Sequence, residues 1–263
     1  MPKIDAPEKL FFSLLGKEMT DQELIDIFPV AKAELDGHDV ENKVIKIELN
    51  DTNRPDLWSP AGVARALFTY ESGEIPYYDF FSTKDESKDN EGRVIIDDES
   101  AIGIRDFSIG FACRGVEVDD DMLKNLIQSQ EKLCFNFGRK RKTIAMGIYR
   151  SNLINYPVHY AAVDPDKTKF VPLGMDEELS LREICQKHPK GKEYGYTVSS
   201  YDKFPYLYDD KGETLSFPPV INSDRIGAVE VGDSEFFIEV SGPILNDLLL
   251  AVNILACDLS DMG

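Results

Sequence analysis

Two kinds of apolar spacing alternate along the whole chain, one with a period of two residues and one with a helical period. Ile45, Ile47 and Leu49 alternate with Lys46 and Glu48, the pattern of a half-buried strand. Phe107, Ile109, Phe111 and Cys113 repeat it, Ile144, Met146 and Ile148 suggest another strand, and Phe236 to Ser241 reads as a buried one. Tyr206 to Tyr208 and Thr214 to Ser216 flank Asp209-Asp210-Lys211-Gly212 as a hairpin with Gly in the turn. Helical segments fall between these. Thr20 and Glu23 have capping-box spacing before Leu24, Ile25, Ile27 and Phe28, and Ser180 with Glu183 repeats it before a short helix that must stop near His188-Pro189. Ser59-Pro60 opens a helix whose stripe is Val63, Leu67 and Tyr70. Asp119 to Asp121 open one whose stripe is Leu123, Leu126, Ile127, Leu133, Cys134 and Phe137, with Gly138 suited to end it. Ile244 to Leu259 presents Leu245, Leu248, Leu249, Val252, Leu255 and Leu259 to a core. This interleaving predicts a mixed α/β architecture, α+β in kind, with a small N-terminal helix–strand unit ahead of a larger mixed sheet flanked by helices.

A chain of 263 residues makes one large domain or two ordinary ones. Thr83 to Gly92 contains no large apolar side chain, so nothing offsets its ordering entropy, and it is the best boundary. That separates a first domain, 1–84, from a second, 93–263. Acids outnumber bases, 48 to 29, for a net charge of −19, which excludes a protein that grips nucleic acid over its whole surface and permits one local basic patch. No apolar run approaches the roughly 18 residues a membrane span needs, so no membrane partner is expected. Cys113, Cys134, Cys185 and Cys257 stand apart and there are only 3 histidines, so no zinc site is expected; scattered thiols fit a reducing cytoplasm.

Four segments carry candidate chemistry. Arg139-Lys140-Arg141-Lys142 is the dense basic run, readable as a phosphate contact or as charge complementing a helix end. Asn53-Arg54-Pro55-Asp56-Leu57-Trp58-Ser59 is a ligand loop or a structural latch, with Arg paired locally and Trp packed. The two prolines of Phe217-Pro218-Pro219-Val220-Ile221-Asn222 stiffen a wall that presents Ser216 and Asn222. Glu239 and Ser241, two apart in a strand, point to one face; if that face is the core, the carboxyl needs a polar partner or a ligand. Phosphate-binding and dinucleotide glycine motifs, HExxH and GxSxG are all absent, so hydrolysis here would rest on positioning water and on the substrate's own groups.

Taken in order, these motifs resemble the N-terminal half of the phenylalanyl-tRNA synthetase β subunit of the archaeal and eukaryotic type. The landmarks are Asn53-Arg54-Pro55-Asp56-Leu57, Gln130-Glu131-Lys132-Leu133 leading to Gly138-Arg139-Lys140-Arg141, and Ala145-Met146-Gly147-Ile148-Tyr149. Phe170-Val171-Pro172-Leu173-Gly174, Leu215 to Ser223 and Phe237 to Gly242 follow. The resemblance implies a fragment of a class II aminoacyl-tRNA synthetase, a phenylalanine–tRNA ligase, with 1–84 as the N-terminal β-subunit domain and 93–263 as a tRNA-editing domain. That domain would hydrolyse tyrosine wrongly attached to phenylalanine tRNA. Leu207, Ser216, Glu239 and Ser241 would line the amino-acid pocket, Ser216 and Asn222 would position water, and Arg139, Lys140 and Arg141 would meet tRNA. In the family two of the pocket side chains vary: Asp often stands at the position of Glu239, and Thr usually at that of Ser241. The family's β chain runs on into domains that bind the α subunit, so this sequence is expected to be an N-terminal piece without the synthetic site. It would need no cofactor, while the parent enzyme uses ATP and magnesium in the cytoplasm. Two alternatives remain open: a non-catalytic structural and tRNA-docking module with a decayed pocket, and a free-standing amino-acid-binding protein.

Overall fold

The computed structural model describes residues 3–50, 53–81, 92–115 and 117–263. All of the polar stretch from Thr83 except Gly92 lies outside them. The chain divides into two compact units: Met1–Thr83 with Val118–Leu133 and Asn253–Gly263, and Lys84–Glu117 with Cys134–Val252.

In the first unit, β1 (Lys3–Pro7), β2 (Ala33–Asp39) and β3 (Val44–Leu49) form an antiparallel sheet in the order β1-β3-β2. The alternation in β3 does what its period predicts: Ile45, Ile47 and Leu49 are buried, while Lys46 faces out. Helices α1 (Glu8–Leu15), α2 (Asp21–Ile27) and α3 (Pro60–Ser72) pack with its strands. The Thr20 capping box closes α2, and Ser59 accepts from the Gly62 N–H at the start of α3. The loop before α3 is a latch: Arg54 grips Asp56 through two hydrogen bonds, 2.9 and 2.7 Å, and Trp58 is buried. Tyr70 leaves the expected stripe and is exposed, because α3 is buried only through its first half, Pro60 to Leu67. Helix α4 (Asp120–Lys132) starts at an Asp119 cap and buries Asn125, Leu126 and Ser129; Ile127, expected inside, is exposed.

The second unit holds β4 (Ile95–Asp97), β5 (Phe107–Arg114), β6 (Ala145–Arg150), β7 (Val158–Val163), β8 (Lys169–Phe170), β9 (Leu179–Ser180), α5 (Leu181–Lys187) and α6 (Pro189–Tyr194). Next come β10 (Phe204–Asp209), β11 (Thr214–Phe217), β12 (Ile221–Asn222), α7 (Asp224–Gly227), β13 (Glu235–Gly242) and α8 (Leu245–Met262), whose last turns belong to the first unit. One sheet runs β12-β11-β10-β7-β4, parallel only between β4 and β7, and a second runs β5-β13-β6. Ser180 and Glu183 form the expected capping box on α5, and Pro189 opens α6 after α5 stops. A buried cluster of Tyr149, Tyr160, Leu207, Leu215 and Phe237 draws on both sheets. On α8, Leu248 and Leu255 are buried with Ala251, but Leu245 and Leu249, expected to face a core, are exposed. Among the described residues no helix is long and apolar enough to cross a membrane.

Candidate functional site

Glu239 occupies the middle of β13, the central strand of the three-stranded sheet, and stands in register between Gly110 on β5 and Gly147 on β6. The strand period puts Glu239 and Ser241 on one face, and that face is inside: Glu239 is 1% exposed and Ser241 fully buried. A buried carboxyl must find donors. Ser108 donates to it at 2.9 Å, with Ser241 a further hydroxyl partner. Desolvation outweighs these hydrogen bonds and the nearby Arg105 guanidinium, and pushes the Glu239 carboxyl up to about 7.

On the facing sheet, β10 and β11 pair Leu207 with Ser216, and β11 and β12 pair Ser216 with Asn222. Ser216 therefore stands between Leu207, expected to line the pocket with it, and Asn222, expected to position water with it. Leu207 and Ser216 are buried; Asn222 is half-buried, with its side-chain amide 3.5 Å from the carbonyls of Ile148 and Gly227. Ser216 is thus not a solvent-facing tip of a rigid wall. Its hydroxyl accepts from the Tyr149 phenol at 2.8 Å, and that phenol also faces Glu239. Tyr149 is fully buried, and burial beside Glu239 holds its phenol well above the ordinary range. Ser216 of one sheet and Glu239 of the other, both expected to line the pocket, meet across this one side chain.

Arg105 braces the same region from the other end. Its buried guanidinium donates to the Ser241 hydroxyl at 3.1 Å, to the Ser241 carbonyl, and to the carbonyls of Arg141 and Lys142 at 3.3 Å each. Those carbonyls belong to the basic run. Helix α4 widens into a π-helical turn over Leu133–Phe137, and Gly138 does not take the left-handed conformation that would end it. Arg139, Lys140 and Arg141 take it instead, at φ 50°, 57° and 63°. The amides of Lys140 and Arg141 then cap the carbonyls of Phe135 and Cys134 at 2.8 and 2.9 Å. Arg139 and Lys140 project outward, whereas Arg141 lies 4.3 Å over the Tyr194 ring and donates to the carbonyls of Pro219 and Val220 at 3.2 and 3.0 Å.

Arg105, Ser108 and Tyr149 were not singled out by sequence reasoning. Tyr149 ends a recognisable motif, but Ser108 is the polar residue between apolar ones in β5. Ile109, Phe111 and Cys113 are the less exposed residues there, as their alternation predicts, and the pattern reverses only at the start of the strand, where Phe107 is exposed and Ser108 buried. Arg105 carried no signal. Among the described residues no group of three or more His, Cys, Asp or Glu side chains could hold a metal ion.

No protein-family model matches the chain. Over its full length it is 51% identical to a phenylalanine–tRNA ligase β subunit of Borreliella burgdorferi (strain ZS7) and 48% identical to one of Borrelia turicatae (strain 91E135), covering 46% of each. The chain spans about half the length of the curated relatives it matches. A crystal structure of an N-terminal fragment of the phenylalanyl-tRNA synthetase β subunit from Pyrococcus horikoshii aligns with all of this chain, at a TM-score of 0.92 and 35% identity, and 74% of that fragment is covered.

Proposed function

The chain belongs to the phenylalanyl-tRNA synthetase β-subunit family, and on that premise we propose that its second unit hydrolyses tyrosine misattached to phenylalanine tRNA. The observation that carries this reading is Glu239, a buried carboxyl set among hydroxyls on a face bordered by glycines. Tyrosine differs from phenylalanine by one hydroxyl, and an apolar synthetic pocket rejects an added hydroxyl only weakly. A second pocket built to hydrogen-bond that hydroxyl rejects the analogue lacking it by about 10⁴–10⁵ in favourable cases.

In this reading Glu239 accepts the tyrosine hydroxyl with Ser216 beside it at the same end of the ring, Ser241 and Leu207 flank the ring, and Asn222, rather than Ser216, positions a water at the activated ester. Positioning suffices because the aminoacyl ester is already reactive. Arg139 and Lys140, the outward members of the basic run, meet tRNA phosphate while Arg141 holds the loop. The synthetic step with ATP and magnesium, and the α-subunit contacts, belong to the cytoplasmic parent enzyme. A crystal structure with tyrosine bound tests the assignment: the phenol oxygen is expected within hydrogen-bond distance of Glu239, and tyrosine bound away from β11 and β13 would overturn it.

A further inference from the structure

Resting on the editing reading, we propose that Tyr149 is an internal plug: its phenol holds the place that a tyrosyl ligand's ring takes between Ser216 and Glu239, and the ligand enters by displacing it. The two rings have the same chemistry, a para-hydroxyphenyl group. The Tyr149 hydroxyl already donates to Ser216 at 2.8 Å and faces Glu239, the bonds a ligand phenol would make. Its ring covers Gly147: a Cβ added there would stand 1.9 Å from the Tyr149 hydroxyl oxygen and 2.2 Å from the ring carbon that bears it. Gly147 is the register neighbour of Glu239, so the side-chain-free space beside the carboxyl is the space Tyr149 fills.

With Tyr149 in place, Leu207, Ser216, Glu239 and Ser241 are all buried, and a second ring has no room beside the carboxyl. Displacement is an exchange in kind, since the hydrogen bonds Tyr149 gives up are those a ligand phenol remakes. An internal competitor lowers the apparent affinity of every ligand by the fraction of open chains. It therefore weakens tyrosine and phenylalanine equally and leaves their ratio to Glu239. Its use is to keep the weaker, correct amino acid out at working concentrations.

Calorimetric titration of the chain and its Tyr149→Phe variant with free tyrosine and free phenylalanine tests this. Removing the plug's hydroxyl should tighten both ligands by the same factor, roughly tenfold, with their ratio unchanged. Tyrosine affinity that is unchanged, weaker or undetectable in Tyr149→Phe overturns the plug. The recognition reading is judged separately, by whether the ratio collapses in Glu239→Gln. A measurement without loss of the hydroxyl stands beside it: 3-fluorotyrosine placed at 149 should show its buried ¹⁹F signal replaced by a solvent-exposed one as tyrosine is added. A signal that stays buried at saturation also overturns the proposal.

Discussion

At the scale of single residues, the chain places a carboxyl where water cannot reach it. Glu239 gains hydrogen bonds from Ser108 and Ser241 and a favourable field from Arg105, yet burial dominates and holds its proton up to about pH 7. Unfolding returns the group to about 4.3. Below about pH 4.3 it is neutral in both states and its contribution to stability is fully present. Between there and pH 7 the folded chain keeps a proton that the unfolded chain gives up, so stability falls as pH rises, by on the order of 3 kcal/mol in total. Asp258, pushed up to about 6 by burial, slopes the same way over the lower part of that window. Denaturant melts of the wild type and Glu239→Gln should therefore diverge with pH: the variant loses the part of the slope that extends from pH 6 to 7. Parallel curves would show that Glu239 titrates like an exposed carboxylate.

At the scale of elements, the basic run is held in shape at a cost. Each non-glycine residue in a left-handed conformation costs about 1–3 kcal/mol, and such residues persist only where surrounding bonds fix them. Here those bonds come from Arg105 below and from Arg141, whose guanidinium ties the loop to Pro219 and Val220. Arg141→Ala should lower stability by about 1–3 kcal/mol in a thermal melt. Arg139→Ala should leave the melt nearly unchanged and reduce the salt slope of tRNA binding by somewhat under one. A salt slope indifferent to Arg139 would leave that residue as solvated charge near a helix end. Gly147 makes a second element-level claim, since β6 and Tyr149 tolerate no Cβ there. Gly147→Ala should cost about 1–3 kcal/mol by overpacking, and Tyr149→Leu in the same chain should recover part of it. No recovery would mean that the Cβ clashes with something other than the phenol.

Local chemistry in the sequence was legible where it acts within a few residues. The caps at Thr20, Ser59, Asp119 and Ser180, the alternation of β3 and the Gly212 turn all formed as their spacing predicts. Which side of a helix is buried was less legible: Tyr70, Ile127, Leu245 and Leu249 satisfy a helical stripe yet face outward, because burial depends on what packs there. The π-helical turn and the left-handed basic run carry no local signature, and neither does the burial of Arg105 and Ser108, which depends on partners far along the chain.

At the scale of the whole molecule, two compact units interleave along the sequence, since 118–133 and 253–263 pack with the N-terminal residues rather than with their neighbours in the chain. The second unit gathers the hydroxyl-lined face, the braced basic loop and the Tyr149 ring into one structure, and editing requires all of these to serve the same substrate. The decisive measurement is hydrolysis of tyrosyl-tRNA and phenylalanyl-tRNA by the wild type and Glu239→Gln, with thermal melts alongside. If Glu239 reads the tyrosine hydroxyl, the wild type strongly prefers tyrosyl-tRNA. Assayed above about pH 7, where Glu239 is ionised, replacing that charged acceptor, worth about 1.5–3 kcal/mol, by a weaker neutral one then cuts that preference roughly 10- to 150-fold while phenylalanyl-tRNA hydrolysis stays put. Equal loss of both rates, tracking a lowered melting temperature, would contradict recognition and leave Glu239 a structural carboxyl.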